Sequence, residues 1–244
     1  MENKKIGIFD ADFIPFYVCH NKDEKEKTLE ECIELTDKLI DGICLASGID
    51  LYTGFLTVGK CFRYEVNPGY KSNRKYAELP KFINEIKEYL IKNHNFKLNK
   101  NYEADDLIIS YKKTLKNSEV FIISPDKDLL NLEGTHYNPR LNKFHYTSKE
   151  EAHKYFWLSM LVGDSADGIK GVKGVGPVGA KKVLDTPNIM IEYRDIVLEK
   201  YCEIYGEYVG IKEFTKNYLS LKLVDTVEVN VELNNIRTLS GKET

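Results

Sequence analysis

Residues 119–124, Glu-Val-Phe-Ile-Ile-Ser, form a short β-branched and aromatic run stopped by Pro125, and residues 4–9 form a second such run closed by Asp10. Runs this short that stay apolar at successive positions read as strands buried on both faces, and such strands need helices above and below them. Residues 52–58 supply a third strand of the same character. Between the strands the period changes. Residues 28–46 place Leu29, Cys32, Ile33, Thr36, Leu39, Ile40 and Ile43 on one helical face, and Thr28 with Glu31 makes a capping box. Residues 81–93 and about 102–115 also read as helices. Residues 136–146 read as a β-hairpin turning at 140–142, after which Ser148 and Glu151 open a helix reaching Val162. Beyond Gly163 a glycine-punctuated turn leads to helices at 177–184, 189–204 and 211–224. Strands alternating with helices, then helices only, predict an α/β fold: a central, mostly parallel sheet carrying a helical C-terminal subdomain.

With 244 residues, the expectation is one domain or one domain plus an appendage. Hydrophobic residues at 42% supply enough apolar material for a core and exclude global disorder. No apolar run reaches the roughly 18 residues of a membrane span. The first 13 residues are charged and turn acidic after a few apolar positions, unlike a secretory signal. Five scattered cysteines without CxxC spacing argue against a disulfide framework or structural zinc, and fit a reducing cytoplasm. The net charge of −3 excludes a uniformly basic coat, but its distribution is uneven. Residues 60–81 and residues 170–182 each carry a net +4, which leaves −11 on the rest of the chain. Two basic patches on an acidic body suggest one anionic ligand held at two places.

Nine carboxylates fall where a fold does not need them. Asp10 and Asp12 follow the first strand, Glu103, Asp105 and Asp106 open a helix, Asp126 and Asp128 follow the strand at 119–124, and Asp164 and Asp167 follow an apolar helix. Any one group has an ordinary explanation as a turn or as a helix start that favours an acid. Four groups, each trailing a core element, place their charge at the carboxyl ends of the strands, where open α/β sheets bind ligands. Converging carboxylates repel, and oxygen-rich clusters suit magnesium or manganese. Glu103 and Asp106, three apart, share a helix face, with Asp105 elsewhere unless the first turn is irregular. Spacing does not decide which of the three meets a metal.

The segment from Gly171 to Lys182 adds a second kind of site. Gly174 and Gly176 permit a tight turn with exposed backbone, Pro177 suits a first helical position, and Lys181 and Lys182 follow within two turns. The free N–H groups of such a helix start bind phosphate without reading sequence. No strand precedes it and no GKS or GKT follows, so neither a dinucleotide fold nor a P-loop is indicated.

In order along the chain stand FDAD, NPGYKSNR (67–74), YEADDL (102–107), ISPDKDLL (123–130) and GDSADGIKGVKGVGPVGAKKVL (163–184). Over residues 4–185 the chain resembles the flap endonuclease / 5′→3′ exonuclease superfamily, close to the bacteriophage 5′ exonucleases. The resemblance implies a PIN-like nuclease core over residues 1–158 with an arch or clamp at about 60–82. It also implies a helix-three-turn-helix subdomain over 159–225 and a tail at 226–244. It implies a metal-dependent 5′-3′ exonuclease or structure-specific 5′ nuclease acting on DNA ends or flaps, with RNA–DNA hybrids as a further substrate. Such an enzyme uses two Mg²⁺ ions, Mn²⁺ substituting, and the duplex-binding turn often also holds K⁺. Carried over by motif, Asp10, Glu103, Asp105 and Asp126 lie around the first metal with Asp106 beside it, and Asp128, Asp164 and Asp167 lie around the second. Lys71 and Arg74 match the basic arch residues near the scissile phosphate, and Tyr70 matches an aromatic that stacks on a base. Lys173, Gly174, Gly176, Gly179, Lys181 and Lys182 match the duplex-binding turn. The implied protein is a monomer of the cytoplasm, or of the host cytoplasm if phage-encoded.

One departure stands out. The family usually has an Asp after the second strand, whereas this chain has Thr57 nearest that place, with Glu65 the acid that could move in. Two other readings compete. A DNA-binding protein with a decayed metal site would fit that missing Asp, although seven or more acids remain. A haloacid-dehalogenase-type phosphatase would use FDADF, Ser124 and Gly163-Asp164, but Asp167 is one residue too early and the glycine turn is left unexplained.

Overall fold

The computed structural model describes residues 4–20, 26–74, 78–115, 118–185 and 192–235. Among these, the strands are β1 (Lys5–Asp10), β2 (Leu51–Thr57), β3 (Lys97–Asn99), β4 (Glu119–Ile123), β5 (Gly134–Asn138), β6 (Lys143–Thr147), β7 (Gly163–Asp164), β8 (Ile169–Lys170) and β9 (Asn234–Asn235). The helices are α1 (Phe13–Cys19), α2 (Leu29–Ser47), α3 (Arg63–Val66), α4 (Ile83–His94), α5 (Ala104–Thr114), α6 (Lys149–Val162), α7 (Pro177–Leu184), α8 (Glu192–Tyr205) and α9 (Glu207–Leu221).

The sheet runs β3-β2-β1-β4-β5-β6, with β9 added to β2. Strands β3, β2, β1, β4 and β5 are mutually parallel, and β6 and β9 are antiparallel to their neighbours. Alternation along the central strands feeds two cores. Phe9, Leu56, Phe121 and Ile123 pack with α1, α2 and α4, whereas Ile8, Phe55 and Ile122 pack with α5 and the C-terminal segment. Period-two side chains buried on both faces account for the unbroken apolar runs in the sequence. Each fully buried aliphatic or aromatic side chain there contributes about 1.5–3 kcal/mol. The Thr28–Glu31 capping box forms as the sequence predicts, as does the one joining Ser148 and Glu151.

Several elements differ from the sequence reading. Helix α1 follows Asp12 directly and is not foreshadowed, because its seven residues are too few to show a period. Helix α9 starts a turn earlier than expected, at Glu207, and stops at Leu221. The basic segment holds short α3 and a single 3-10 turn, Ser72–Arg74, among its described residues. Helix α6 runs through residue 158, the domain boundary expected from sequence. Its Trp157, Met160 and Leu161 join Val172, Ala180, Leu184, Val197 and Tyr201 in a separate helical core. After α9 the chain returns to the sheet. Leu223, Val227, Val229, Val231 and Leu233 pack beside α5, and β9 pairs with Leu51 and Tyr52.

Candidate active site

The carboxyl ends of β1, β2 and β4 open into one cleft of about 270 Å³, lined by Asp10, Asp12, Thr57, Tyr70, Lys71, Glu103, Asp105, Asp126, Asp128, Tyr155, Asp164 and Asp167 among others. Seven of the eight acids expected at a metal are therefore in one place, supplied by four separate segments. Asp10 ends β1, and Asp126 and Asp128 lie on the turn after β4. Glu103 and Asp105 open α5, and Asp164 and Asp167 belong to the β7–β8 hairpin.

Ser124 connects two of these segments. Its hydroxyl donates to Asp10 Oδ2 at 2.9 Å and accepts the Asp126 N–H at 3.0 Å. Asp126 Oδ1 in turn accepts the Asp128 N–H at 2.9 Å, so the turn after β4 is held by its own acids. Burial together with the charges of Asp12 and Asp126 pushes the Asp10 carboxyl up to about 7. Burial and the charges of Asp126 and Asp164 push Asp128 up to about 6. Asp105 rises well above the ordinary range through burial and the charges of Asp10 and Glu103. Anions crowded in a poorly solvated cleft hold their protons, and this is the signature of a site that lacks positive charge.

Lys71 supplies part of that charge. Its Nζ lies 2.5 Å from Glu103 Oε1 and 3.7 Å from Asp167 Oδ1, and the Tyr70 hydroxyl oxygen lies 2.7 and 2.8 Å from carboxylate oxygens of the same two residues, its one proton shared between them. Burial alone would raise Glu103, but Lys71 and Arg63 bring it below its usual value. The loop is seated by backbone: Lys71 N–H donates to the Asp167 carbonyl at 2.8 Å, and Gly168 lies against Gly69. A Cβ on Gly168 would sit 2.7 Å from the Gly69 carbonyl oxygen, and its φ of +69° favours glycine as well.

Four expectations are corrected. Asp106 is not in the cleft. Arg63 grips both its oxygens at 2.6 and 2.7 Å, and the N–H groups of Glu103 and Val224 take further lone pairs, leaving none for a cation. The helix-face argument pairing Glu103 with Asp106 fails because Glu103 is the N-cap, with extended backbone, and Asp105 is the first-turn acid that meets the cleft. Tyr70 is 2% exposed and hydrogen-bonded at its hydroxyl, so in this arrangement its ring is not a platform for a base. Glu65 is exposed and not among the residues lining the cleft, so it does not replace the absent acid near Thr57. The Arg74 side chain lies outside the described residues.

Sequence reasoning missed Arg63, Ser124 as a link between strands, and Tyr155, whose phenol is pushed to about 12 by burial and the nearby Asp128. Arg63 stands 43 residues from its partner within the basic segment, so no spacing pattern could have paired them.

The glycine turn lies at the start of α7. Gly174 has a φ of +81°, Gly176 is the N-cap in extended conformation, and Pro177 is the first helical residue. Lys173, Lys181 and Lys182 are exposed. A second hollow shares Asp128, Tyr155, Ser159 and Asp164 with the acidic cleft and is also lined by Pro177 at the start of α7.

Comparison with known proteins decides the family. The family described as 5′-3′ exonuclease, N-terminal resolvase-like domain, matches residues 18–156, more than half of the chain. The chain belongs to the 5′-3′ exonuclease family. Flap endonuclease Xni of Colwellia psychrerythraea is 31% identical to this family member over 248 residues, covering 91% of the chain and 78% of Xni. DNA polymerase I of Borreliella burgdorferi is 33% identical over 201 residues, which are 74% of the chain but 21% of that polymerase. The chain thus spans about a fifth of the polymerase's length. Among solved structures, the D15 flap endonuclease of bacteriophage T5, in a pseudo-enzyme-product complex with DNA and metal ions, superposes with a TM-score of 0.71 at 18% identity, covering 89% of each chain. This exonuclease-family chain therefore shares the PIN-like α/β fold of the phage enzyme, and the phosphatase alternative falls. Among the described residues no helix is long and apolar enough to cross a membrane.

Proposed function

We propose that the chain is a divalent-metal-dependent 5′ nuclease that hydrolyses phosphodiester bonds of DNA without sequence specificity, as a 5′-3′ exonuclease or on 5′ flaps. The observation that supports this reading is the cleft of seven family-matched carboxylates at the strand ends, in a chain of the 5′-3′ exonuclease family.

The donor set fits a hard divalent cation: every ligand is a carboxylate oxygen, and burial together with the neighbouring negative charges raises Asp10, Asp105 and Asp128. Among the described residues no three His, Cys, Asp or Glu side chains are gathered closely enough to enclose an ion. Lys71, Tyr70 and Arg63 hold Glu103, so these acids would draw together when a cation takes over from Lys71. Asp10, Glu103, Asp105 and Asp126 would hold one Mg²⁺, and Asp128, Asp164 and Asp167 the other, with Mn²⁺ able to substitute. Such ions supply a water of lowered pKa and stabilise the attacking and leaving oxygens. Lys71 would then turn from Glu103 to the scissile phosphate, with Arg74 beside it. The backbone N–H groups at Gly174, Gly176 and Gly179, with Lys173, Lys181 and Lys182, would hold the duplex phosphates, and K⁺ would sit in the same turn. RNA–DNA hybrids are a further proposed substrate.

The test is cleavage of a 5′-labelled duplex and of a 5′-flap substrate, each with Mg²⁺ and with chelator. Metal-dependent release of mononucleotides or short oligonucleotides from the 5′ end supports the proposal, and product length separates exonuclease from flap work. Asp126→Ala and Asp164→Ala are expected to abolish cleavage while duplex binding persists. Binding without turnover at any Mg²⁺ concentration would instead establish a decayed site.

A further inference from the structure

The strands whose ends form the cleft do not contribute equally. β1 ends in Asp10 and β4 leads to Asp126 and Asp128, but β2, the neighbour of β1, ends in Thr57. The Thr57 hydroxyl accepts the Ala104 N–H at 3.0 Å and so is engaged in holding the start of α5. Negative charge reaches this corner from another residue.

We propose that Asp12 is a further carboxylate of the cation-binding cluster, acting at the corner where β2 offers only Thr57. The inference rests on the nuclease reading above and extends its ligand set. Asp12 lines the cleft, and its Oδ1 accepts the Thr57 N–H at 2.9 Å, which sets the carboxylate against the end of β2. Its placement is unusual for its position. Asp12 is the N-cap of α1, where an aspartate ordinarily accepts an N–H of its own first turn, yet its backbone is helical and its side chain makes no capping bond. The carboxylate gives up its own helix and binds across to the neighbouring strand. The Asp12 N–H donates to Asp10 Oδ1 at 3.4 Å, which places the two residues side by side at the end of β1.

Lys87 shows what the corner attracts. Its Nζ lies 3.6 Å from Asp12 Oδ1 and donates to the Thr57 carbonyl at 2.9 Å, so an ammonium already sits at the edge of this carboxylate. Among the described residues Asp12 Oδ2 takes no hydrogen bond and no ion pair, and it remains as a donor for a cation in the cleft.

The substitution that isolates the charge is Asp12→Asn, which keeps an oxygen to accept the Thr57 N–H. The full chain, stripped with chelator, is titrated with MgCl₂ and separately with MnCl₂ while thermal unfolding is followed. The expected result is a metal-free Tm at or above that of the parent, since repulsion with Asp10 is relieved. The cation concentration for half-maximal stabilisation should rise about tenfold or more, the scale of losing even an outer partner of a metal site. Lys87→Met, which removes the competing ammonium, should shift that midpoint the opposite way. Asp126→Asn serves as the measure of the site itself. A midpoint within twofold of the parent in Asp12→Asn, with Asp126→Asn clearly shifted, overturns the role of Asp12 and leaves it a clasp on Thr57. A lowered metal-free Tm with an unmoved midpoint overturns it equally. Absence of any cation-dependent stabilisation, in the parent as in the variants, overturns the metal reading as a whole.

Discussion

The buried pair Arg63–Asp106 shows how a single residue can be mistaken for part of a site. Asp106 sits in the run of acids that opens α5, and nothing in its neighbours marks it as different. Its surroundings do: Arg63 is 1% exposed, bonds Asp106 through two nitrogens, and donates onward to the carbonyls of Ser220 at 2.9 Å and Lys222 at 3.1 Å. One guanidinium thus fastens α5, the end of α9 and the start of the C-terminal segment. Removing the Asp106 charge takes the bidentate ion pair from a buried guanidinium and leaves it only the Glu103 carboxylate as counter-charge, at 3.2 Å. Asp106→Asn is expected to cost about 3–5 kcal/mol of stability, measured by urea unfolding. If Asp106 were a ligand, its loss would instead be read in metal affinity with stability little changed. Lys71 also lines the cleft, but it pairs there with Glu103 and Asp167 and not with Asp106. Lys71→Ala is expected to lower single-turnover cleavage by roughly 10²–10³-fold while duplex affinity stays within a few-fold.

At the scale of elements, the short 3-10 turn Asp128–Asn131 determines where Asp128 stands, and β5 holds that turn. His136 on β5 donates from Nε2 to the Leu132 carbonyl at 2.9 Å, and burial brings its pKa below the ordinary 6.5. A histidine kept neutral by folding must charge on unfolding in acid. Its folded pKa is depressed, so protons favour the unfolded chain, and the contribution of His136 is level above about pH 6.5 and falls as pH drops below that value, whereas the raised carboxyls of Asp10, Asp105 and Asp128 act in the opposite direction. His153, also depressed by burial, acts in the same direction as His136. Relative to the parent, His136→Gln is expected to gain stability as pH falls from 6.5 to about 5 in thermal unfolding, and a difference between the two that does not change with pH would exclude the His136 contribution. Helix α7 carries a separate prediction. Lys181→Ala with Lys182→Ala should weaken duplex binding and reduce the slope of log affinity against log salt by about 0.9 for each phosphate no longer neutralised. An unchanged slope would take both lysines out of the duplex-binding surface.

Across the whole molecule, the segment after α9 works as a strap. Ser110 Oγ donates to the Val224 carbonyl and accepts the Val227 N–H, Lys113 pairs with Asp225, and Asn95 and the carbonyl of His94 hold Asn234. The sequence shows an alternating run here and assigns it no role. In the structure it packs beside α5 and completes the second core of the sheet. Ending the chain after Lys222 removes five half-buried aliphatic side chains, Leu223, Val227, Val229, Val231 and Leu233, and bares the core they cover. At about 1 kcal/mol each for partial burial, and roughly 2–4 °C per kcal/mol for a chain of this size, Tm should fall by at least about 10 °C in differential scanning calorimetry. A fall of only a degree or two would mean that the strap adds nothing to the core.

Local physics determined much of this from the sequence alone. Two-face apolar runs dictate buried parallel strands, capping boxes at Thr28 and Ser148 start helices where they form, and Gly176-Pro177 opens α7 at the expected residue. The acids after β1 and β4 were legible because strand ends in such a sheet share one rim. What the sequence could not determine were contacts between residues far apart in the chain, whose partners carry no local mark. Only the tertiary structure turned Asp106 to Arg63, buried Tyr70 against Glu103 and Asp167, and brought Asp12 to Thr57. Spacing rules hold within one regular element, and Glu103 lies just outside its helix. Which carboxylate faces the cleft is decided by the packing of elements against each other, since a buried charge goes wherever a partner compensates it.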